Sequence, residues 1–462
     1  MKKWMKAMRA DGLRAVAGAA AIFGAALVPI CAPAASESWV VRPEWVKAHE
    51  DFLASPALQG RGSATRDEAI AAAYVAAEFE KFGLKTAPGM SGYTQAARVR
   101  RPRLAGPASL TIAGKALPSL QLLIGAGEVR GKFALMTSSD AAQMPAGGIV
   151  VASNPQAPIR ALMSAADSKG VKLLTVPRSA GSQRLAAMVG QTPALHSYLE
   201  GEPPREGLIV ATLGANDIAA LAANPAGEVV LSAPIASDVA ETTNAIGYLP
   251  GTDPAAGNLL ISAHLDHLGV VNGTIMPGAN DDASGTAAVI ELARALAAGP
   301  PMRRGILFVC YGSEELGGLG SRYFVEHPPV PLSSIVANLE LEMIGAQDPK
   351  LPAGQLMMTG FERSTFGDIL RKNGALVAPD PYPEENFFQR SDNYSLARKG
   401  IVAHTVSGWA VTPTYHQPTD TVASINIDYM TRAIQSLVAP LRAIANGSET
   451  PQWKPGGRPQ DK

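Results

Sequence analysis

From about residue 242 onward the chain alternates short apolar runs with stretches of helical periodicity. Leu259–Ala263, Ile306–Tyr311, Ile335–Leu341 and Ile401–Val406 are the apolar runs, while Ser284–Ala298, Phe366–Asn373 and Ile427–Ala445 carry apolar residues at helical spacing. Strands without a polar face are buried on both sides. Their alternation with helices predicts an α/β fold: a mostly parallel mixed sheet flanked by helices on both faces, with functional groups at strand ends. Upstream, Ala69–Phe82 shows helical spacing and stops at Gly83. Between about 109 and 238 the pattern shortens to β-rich pieces, 132–136, 148–152, 171–176 and 208–212, with a helix over Ile159–Lys169 among them. That stretch reads as an inserted small β-rich domain. The expected organisation is a leader over 1–34, an N-terminal part of the main domain over 35–108, the insert over 109–238, the main domain over 239–446, and a polar, Pro-rich disordered tail over 447–462.

Composition narrows this picture little: 462 residues, 47% hydrophobic and 17% charged, are globular values. The first fourteen residues carry five positive charges and one negative, and a 14-residue apolar stretch, Ala15 to Val28, precedes Ala32-Pro33-Ala34. This is the pattern of a secretory signal peptide, too short in its apolar part to span a membrane. Ile30 before Cys31 argues against a lipoprotein. The expected product is exported, periplasmic or secreted, and free of the membrane after cleavage. Cleavage after Ala34 removes five of the 40 basic and one of the 40 acidic residues, leaving 35 and 39, a net charge of −4. Nothing in that balance suggests nucleic acid. Cys31 would leave with the leader, so Cys310 alone remains and no internal disulfide can form.

Candidate chemistry gathers where apolar runs end. His264 and Asp266 in SAHLDH share a face if the strand continues, and Asp266 suits the role of orienting the imidazole better than that of ligand. In GANDDASG, one of Asp281 and Asp282 can cap the following helix while the other reaches outward. In YGSEELGGLGS, extended backbone would send Glu314 and Glu315 to opposite sides, one toward a cation and one toward water or substrate. Glu340 and Glu342 interrupt an otherwise apolar strand, a costly placement unless they are paired or metal-bound. His416 lies in the polar loop YHQPTDT. Histidines and acids recurring at successive strand ends form a mixed N/O set that suits zinc better than calcium. The other histidines, at 49, 196, 267, 327 and 404, read as surface or internally satisfied, with His404 the one worth inspection.

Together HLDH (264–267), PGANDDASG (277–285), GSEELGGLGS (312–321), NLELEMIG (338–345), SDNYSLARKGI (391–401) and YHQPTDT (415–421) resemble the co-catalytic di-zinc aminopeptidase family, which includes relatives such as glutamate carboxypeptidase and glutaminyl cyclase. The middle stretch, with GKFALM at 131–136, resembles an inserted protease-associated domain. The resemblance implies two zinc ions, one held by His264 and Glu342, the other by Glu315 and His416, with Asp281 bridging. It also implies Glu314 as general base, Asp266 as partner of His264, and a cis peptide after Asp281. Two departures stand out: Glu342 occupies a position that is more commonly Asp, and Asn393 one that is often His.

The implied activity is an aminopeptidase acting on peptide substrates. Oligomeric state, residue preference and native metal stay open. A carboxypeptidase would need a basic pocket, for which Arg390, Arg398 and Lys399 are the candidates. A glutaminyl cyclase needs only one zinc, and an inactive binding protein would be expected to have lost ligands. No Gly-x-Ser-x-Gly elbow supports a serine hydrolase, and Gly125–Arg130 lacks the frame of a dinucleotide site.

Overall fold

A computed structural model of the chain describes residues 39–460 except 191, 205 and 206. The expected leader lies outside the described residues. Among them no helix is long and apolar enough to cross a membrane. The main sheet has nine strands: β1 (Thr94–Leu104), β2 (Tyr198–Leu199), β3 (Ile235–Leu249), β4 (Asn258–His264), β5 (Gly305–Tyr311), β6 (Ile335–Leu341), β7 (Leu356–Met358), β8 (Val377–Pro379) and β9 (Ala403–Ser407). Their spatial order is β8-β7-β9-β6-β4-β5-β3-β1-β2. The four central strands, β9, β6, β4 and β5, run parallel, and antiparallel pairings flank them.

The apolar runs are strands because both of their faces are covered. Along β5, Ile306, Phe308 and Cys310 enter one core, while Leu307, Val309 and Tyr311 enter the other. The first core is roofed by α1 (Pro43–Leu53), α2 (Arg66–Lys81), α3 (Ser284–Ala297) and α4 (Ile427–Asn446). The second is covered by the helices Leu319–Glu326 and Asn393–Arg398. Because β5 lies on one side of β4 and β6 on the other, the chain reverses direction across the sheet at β4. The carboxyl end of such a strand opens into a crevice.

The middle stretch forms a five-stranded and a four-stranded sheet over apolar clusters of their own. It is not tethered by a loose linker. Strands β1 and β3 pair in unbroken register from Thr94↔Ala245 to Leu104↔Ile235, so a stiff two-stranded ribbon carries the chain out and back. Strand β2, drawn from within 109–238, returns to edge the main sheet beside β1.

The expected disordered tail is corrected: residues 447–460 pack onto the main domain. Trp453 donates its indole N–H to Gly400 O at 2.9 Å and packs against both cores. Arg304 donates to Glu449 O and Thr450 Oγ1 at 2.9 and 2.8 Å. One aromatic anchor and a buried guanidinium outweigh a polar composition.

Arg61, fully buried, ties α1 to the crevice. It donates to Leu53 O, Leu265 O, Pro277 O and Gly278 O. Arg61→Met leaves those carbonyls without their donor, at about 1–3 kcal/mol for each acceptor stranded in the interior. The expected loss is at least about 3 kcal/mol, read from denaturant unfolding. A loss below about 1 kcal/mol would show that the carbonyls find other donors.

Candidate metal centre

Four strand ends converge on the crevice. Strand β4 stops at His264, and the chain turns through Leu265–Leu268. Strand β5 runs into the turn 312–318, β6 into Glu342, and β9 into the loop carrying His416. Asp282 locks two of these ends. Its Oδ1 accepts from Gly285 N and Met343 N, both at 2.9 Å, and its Oδ2 from His264 N at 3.3 Å. Gly285 is required there, since a Cβ would sit 2.1 Å from Leu341 O. Asp282 therefore takes the helix-capping role, which leaves Asp281 to face the crevice. The bond between the two is cis.

Asp281 divides its carboxylate between two groups of donors. Oδ1 lies 3.3 Å from His264 Nε2, and Oδ2 lies 3.2 Å from His416 Nε2. His416 Nε2 is also 3.3 Å from Glu315 Oε2. Donor atoms of His264, Asp281 and Glu342 lie within 4.8 Å of one another, as do those of His267, Asp281 and Glu315. Among the described residues His264 Nε2, both ring nitrogens of His267, Asp281 Oδ2 and Glu315 Oε1 are buried without a hydrogen-bond partner. Orphaned polar atoms at this density are costly in a folded interior. Imidazole and carboxylate donors in two adjoining sets fit a pair of divalent ions of the zinc type.

All seven residues singled out from the sequence, His264, Asp266, Asp281, Glu314, Glu315, Glu342 and His416, lie at this crevice. Three details differ from expectation. Glu314 and Glu315 stand in a tight turn entered through Ser313 at φ 54°, not on extended backbone. Asp266 does more for that turn than for His264: its carboxylate accepts Glu314 N at 2.9 Å, Glu315 N at 3.4 Å and Ser63 Oγ at 2.5 Å. His264 Nδ1 is nearer the Asp266 main-chain oxygen, at 3.2 Å, than the carboxylate, at 3.7 Å. The third is His267, read from sequence as a bystander, which is fully buried with Nδ1 2.8 Å from Glu315 Oε1.

Sequence reasoning also passed over the bracing residues. Asp420 accepts from Asn280 N and Asp281 N, and Glu68 from Ser313 N, Ala64 N and Thr243 N. An acid in a polar loop and an acid inside a helix carry no local signal of such a role. His404 is internally satisfied, by Ser364 Oγ at 2.7 Å and Thr359 O at 2.8 Å, and burial pushes it down to about 4. Asn393 is likewise satisfied, accepting from Thr405 Oγ1 at 3.0 Å.

Burial alone would raise the carboxyl of Asp281, yet His267, His264 and His416 hold it well below its usual value. Glu314 goes the other way: burial, with Asp392, Glu315 and Glu342 around it, outweighs His264 and raises it well above the ordinary range. His416 resists the lowering effect of burial because Asp281 and Glu315 raise it from 6.5 to about 10. A histidine raised on folding lends stability in full below its unfolded value and loses it as pH climbs through the folded one. Metal-free protein is therefore expected to lose stability between pH 6.5 and about 10, seen as a falling thermal midpoint in chelator. A midpoint that rises over that range would contradict the His416 pairing.

The centre opens on a cleft of about 960 Å³ walled by Leu268, Met276, Arg390 and His416 on one side and by Arg160 and Val189 of the middle stretch on the other. Residues 244–440 match the model of peptidase family M28. This stretch is an M28 peptidase domain. Leupeptin-inactivating enzyme 1 of Streptomyces exfoliatus is 29% identical over 226 residues, covering 45% of this chain and 50% of that protein. Aminopeptidase YwaD of Bacillus subtilis is 38% identical over 86 residues, 18% of each chain. The chain thus matches half or less of the length of these curated relatives. Among solved structures, an aminopeptidase from Aneurinibacillus sp. strain AM-1 superposes with a TM-score of 0.58 at 19% identity, over 89% of this chain and 95% of that one. A zinc aminopeptidase from Bacillus subtilis superposes at 0.54, also at 19% identity, over 89% and 97%. At such identities the likeness establishes the fold, and it places the M28 domain within a shared architecture.

Proposed function

We propose that the protein is an exported zinc-dependent aminopeptidase that removes N-terminal residues from peptides. The observation that carries this reading is the split carboxylate of Asp281, each oxygen turned to a different set of donors. His264, Asp281 and Glu342 would hold one ion, and Asp281, Glu315 and His416 the other. When bound, the ions would supply a water of lowered pKa and polarise the scissile carbonyl. Glu314, on a turn fixed by Asp266, takes a proton at its carboxylate and returns it to the departing amine. The walls of the cleft exclude water and orient the peptide, and the middle stretch, which we take as a protease-associated domain, contributes one of them.

Release from the amino end is favoured over the carboxyl end by the state of the basic candidates. Arg390 is paired with Glu385 at 3.3 Å and Lys399 with Glu326 at 2.6 Å, so neither is held ready for a terminal carboxylate. The aminopeptidase names of several relatives point the same way. The test is hydrolysis of aminoacyl, N-blocked and C-terminal peptide substrates, with and without chelator. Cleavage of unblocked substrates should vanish with chelator, return with zinc, and fail on N-blocked ones. Indifference to the block would favour a carboxypeptidase, and zinc-loaded protein that cleaves none of them would favour a binding role.

A further inference from the structure

We propose that His267 is a sixth metal-binding side chain, so that the second ion is held by two imidazoles, those of His267 and His416, together with Asp281 and Glu315. The inference rests on the dinuclear reading above and adds a ligand to it.

The contact between His267 Nδ1 and Glu315 Oε1 is 2.8 Å long, the length of a hydrogen bond, yet neither atom has a hydrogen-bond partner among the described residues. An imidazole N–H is fixed in the plane of its ring, so a short N···O approach without alignment is not a hydrogen bond. Two donor atoms brought close while aimed past each other share a third point. Asp281 Oδ2 lies 3.9 Å from His267 Nδ1 and 3.2 Å from His416 Nε2, and His416 Nε2 lies 3.3 Å from Glu315 Oε2, so all four side chains border that point. The rings of the two histidines meet edge to face, with centroids 5.6 Å apart.

The placement of His267 is also built. Its main chain is clasped on both sides by the segment 61–63: its N–H donates to Arg61 O at 3.0 Å, and its carbonyl accepts from Ser63 N at 3.2 Å. The ring packs against Gly278, where a Cβ would come to 2.5 Å from its Cγ and Cδ2. A histidine serving only as filler would need none of this, and burying an imidazole with both nitrogens unpartnered is expensive. Ligation through Nδ1 removes one of those orphans.

The two ions then differ. The second has four protein donors, two nitrogen and two oxygen, the number typical of closed zinc sites. The first has three, from His264, Asp281 and Glu342, the number that leaves a position open in catalytic ones. The second ion should therefore be the one retained and the first the one exchanged.

Two measurements test this on the full chain with zinc alone. In crystals of zinc-saturated protein, with the ions located by anomalous scattering at the zinc edge, His267 Nδ1 should lie at about 2.0–2.1 Å from one of them. A distance beyond about 3 Å from both would overturn the proposal. Equilibrium dialysis of wild type against graded zinc buffers should give two unequal affinities, and His267→Asn should weaken the tighter by about 10–100-fold while sparing the other. Unchanged retention of both ions by His267→Asn would overturn it too, and if that variant fails to fold, the wild-type crystal decides. Wild type saturating at one ion would overturn the dinuclear reading itself, whereas two ions with His267 remote from both would overturn this inference alone.

Discussion

Glu314→Gln should lower kcat by about 10²–10⁴-fold while the protein keeps its zinc and its KM changes little. The substitution preserves shape and removes only the ability to take a proton. Glu314 belongs to neither of the two donor clusters, which draw on Glu315 and Glu342 instead. It is nonetheless positioned by dedicated contacts: its N–H is held by Asp266, and the preceding Ser313 by Glu68. Those contacts are made by the backbone and survive in the variant, so the turn should not move. Zinc content measured beside kcat separates loss of a base from loss of a metal. A variant within tenfold of wild type at full zinc occupancy would assign the proton transfer elsewhere.

What the sequence reveals about this site follows the range of the interactions that build it. Strands β4, β5 and β6 are legible because double burial writes itself as unbroken apolar runs, and acids at their ends are conspicuous against that background. That one of Asp281 and Asp282 caps the following helix is legible as well, but which of them does so is settled only by the contacts of Asp282 with Gly285 N and Met343 N. His267 is not legible. Strand alternation sends it away from His264 and Asp266, but β4 ends at His264, and the chain then turns under the clasp of Arg61 and Ser63, some two hundred residues upstream. The period-two rule stops where the strand does. The turn at 313–318 escapes for a related reason, since its shape depends on Glu68 reaching in from α2. In the tail, a single Trp453 finding Gly400 O outweighs fourteen residues of polar character that local composition weighs equally. The ribbon of β1 and β3 shows the same limit, because its register is set between residues as distant in sequence as Thr94 and Ala245.

Asp281→Asn should remove both ions together, where loss of any other donor removes at most one. His264 and Glu342 lie on one side of the carboxylate, His267, Glu315 and His416 on the other, and only Asp281 presents an oxygen to each. An asparagine offers one oxygen and turns an amide N–H₂ toward the second group, where it repels a cation and leaves histidines facing a donor. It also withdraws the negative charge that favours a cation beside His416 and holds that imidazole above its ordinary value. Zinc per chain, measured after dialysis that leaves two ions on wild type, should drop below one, with affinity weakened by more than about 100-fold, and hydrolysis should fall to background. His264→Ala and His416→Ala treated alongside should each keep about one ion. The loop itself should hold in Asp281→Asn, because Asp420 and Asp282 grip its backbone through groups the substitution leaves intact. If Asp281→Asn retained two ions, the carboxylate could not be the bridge, and the two donor groups would have to be read as independent sites that happen to adjoin.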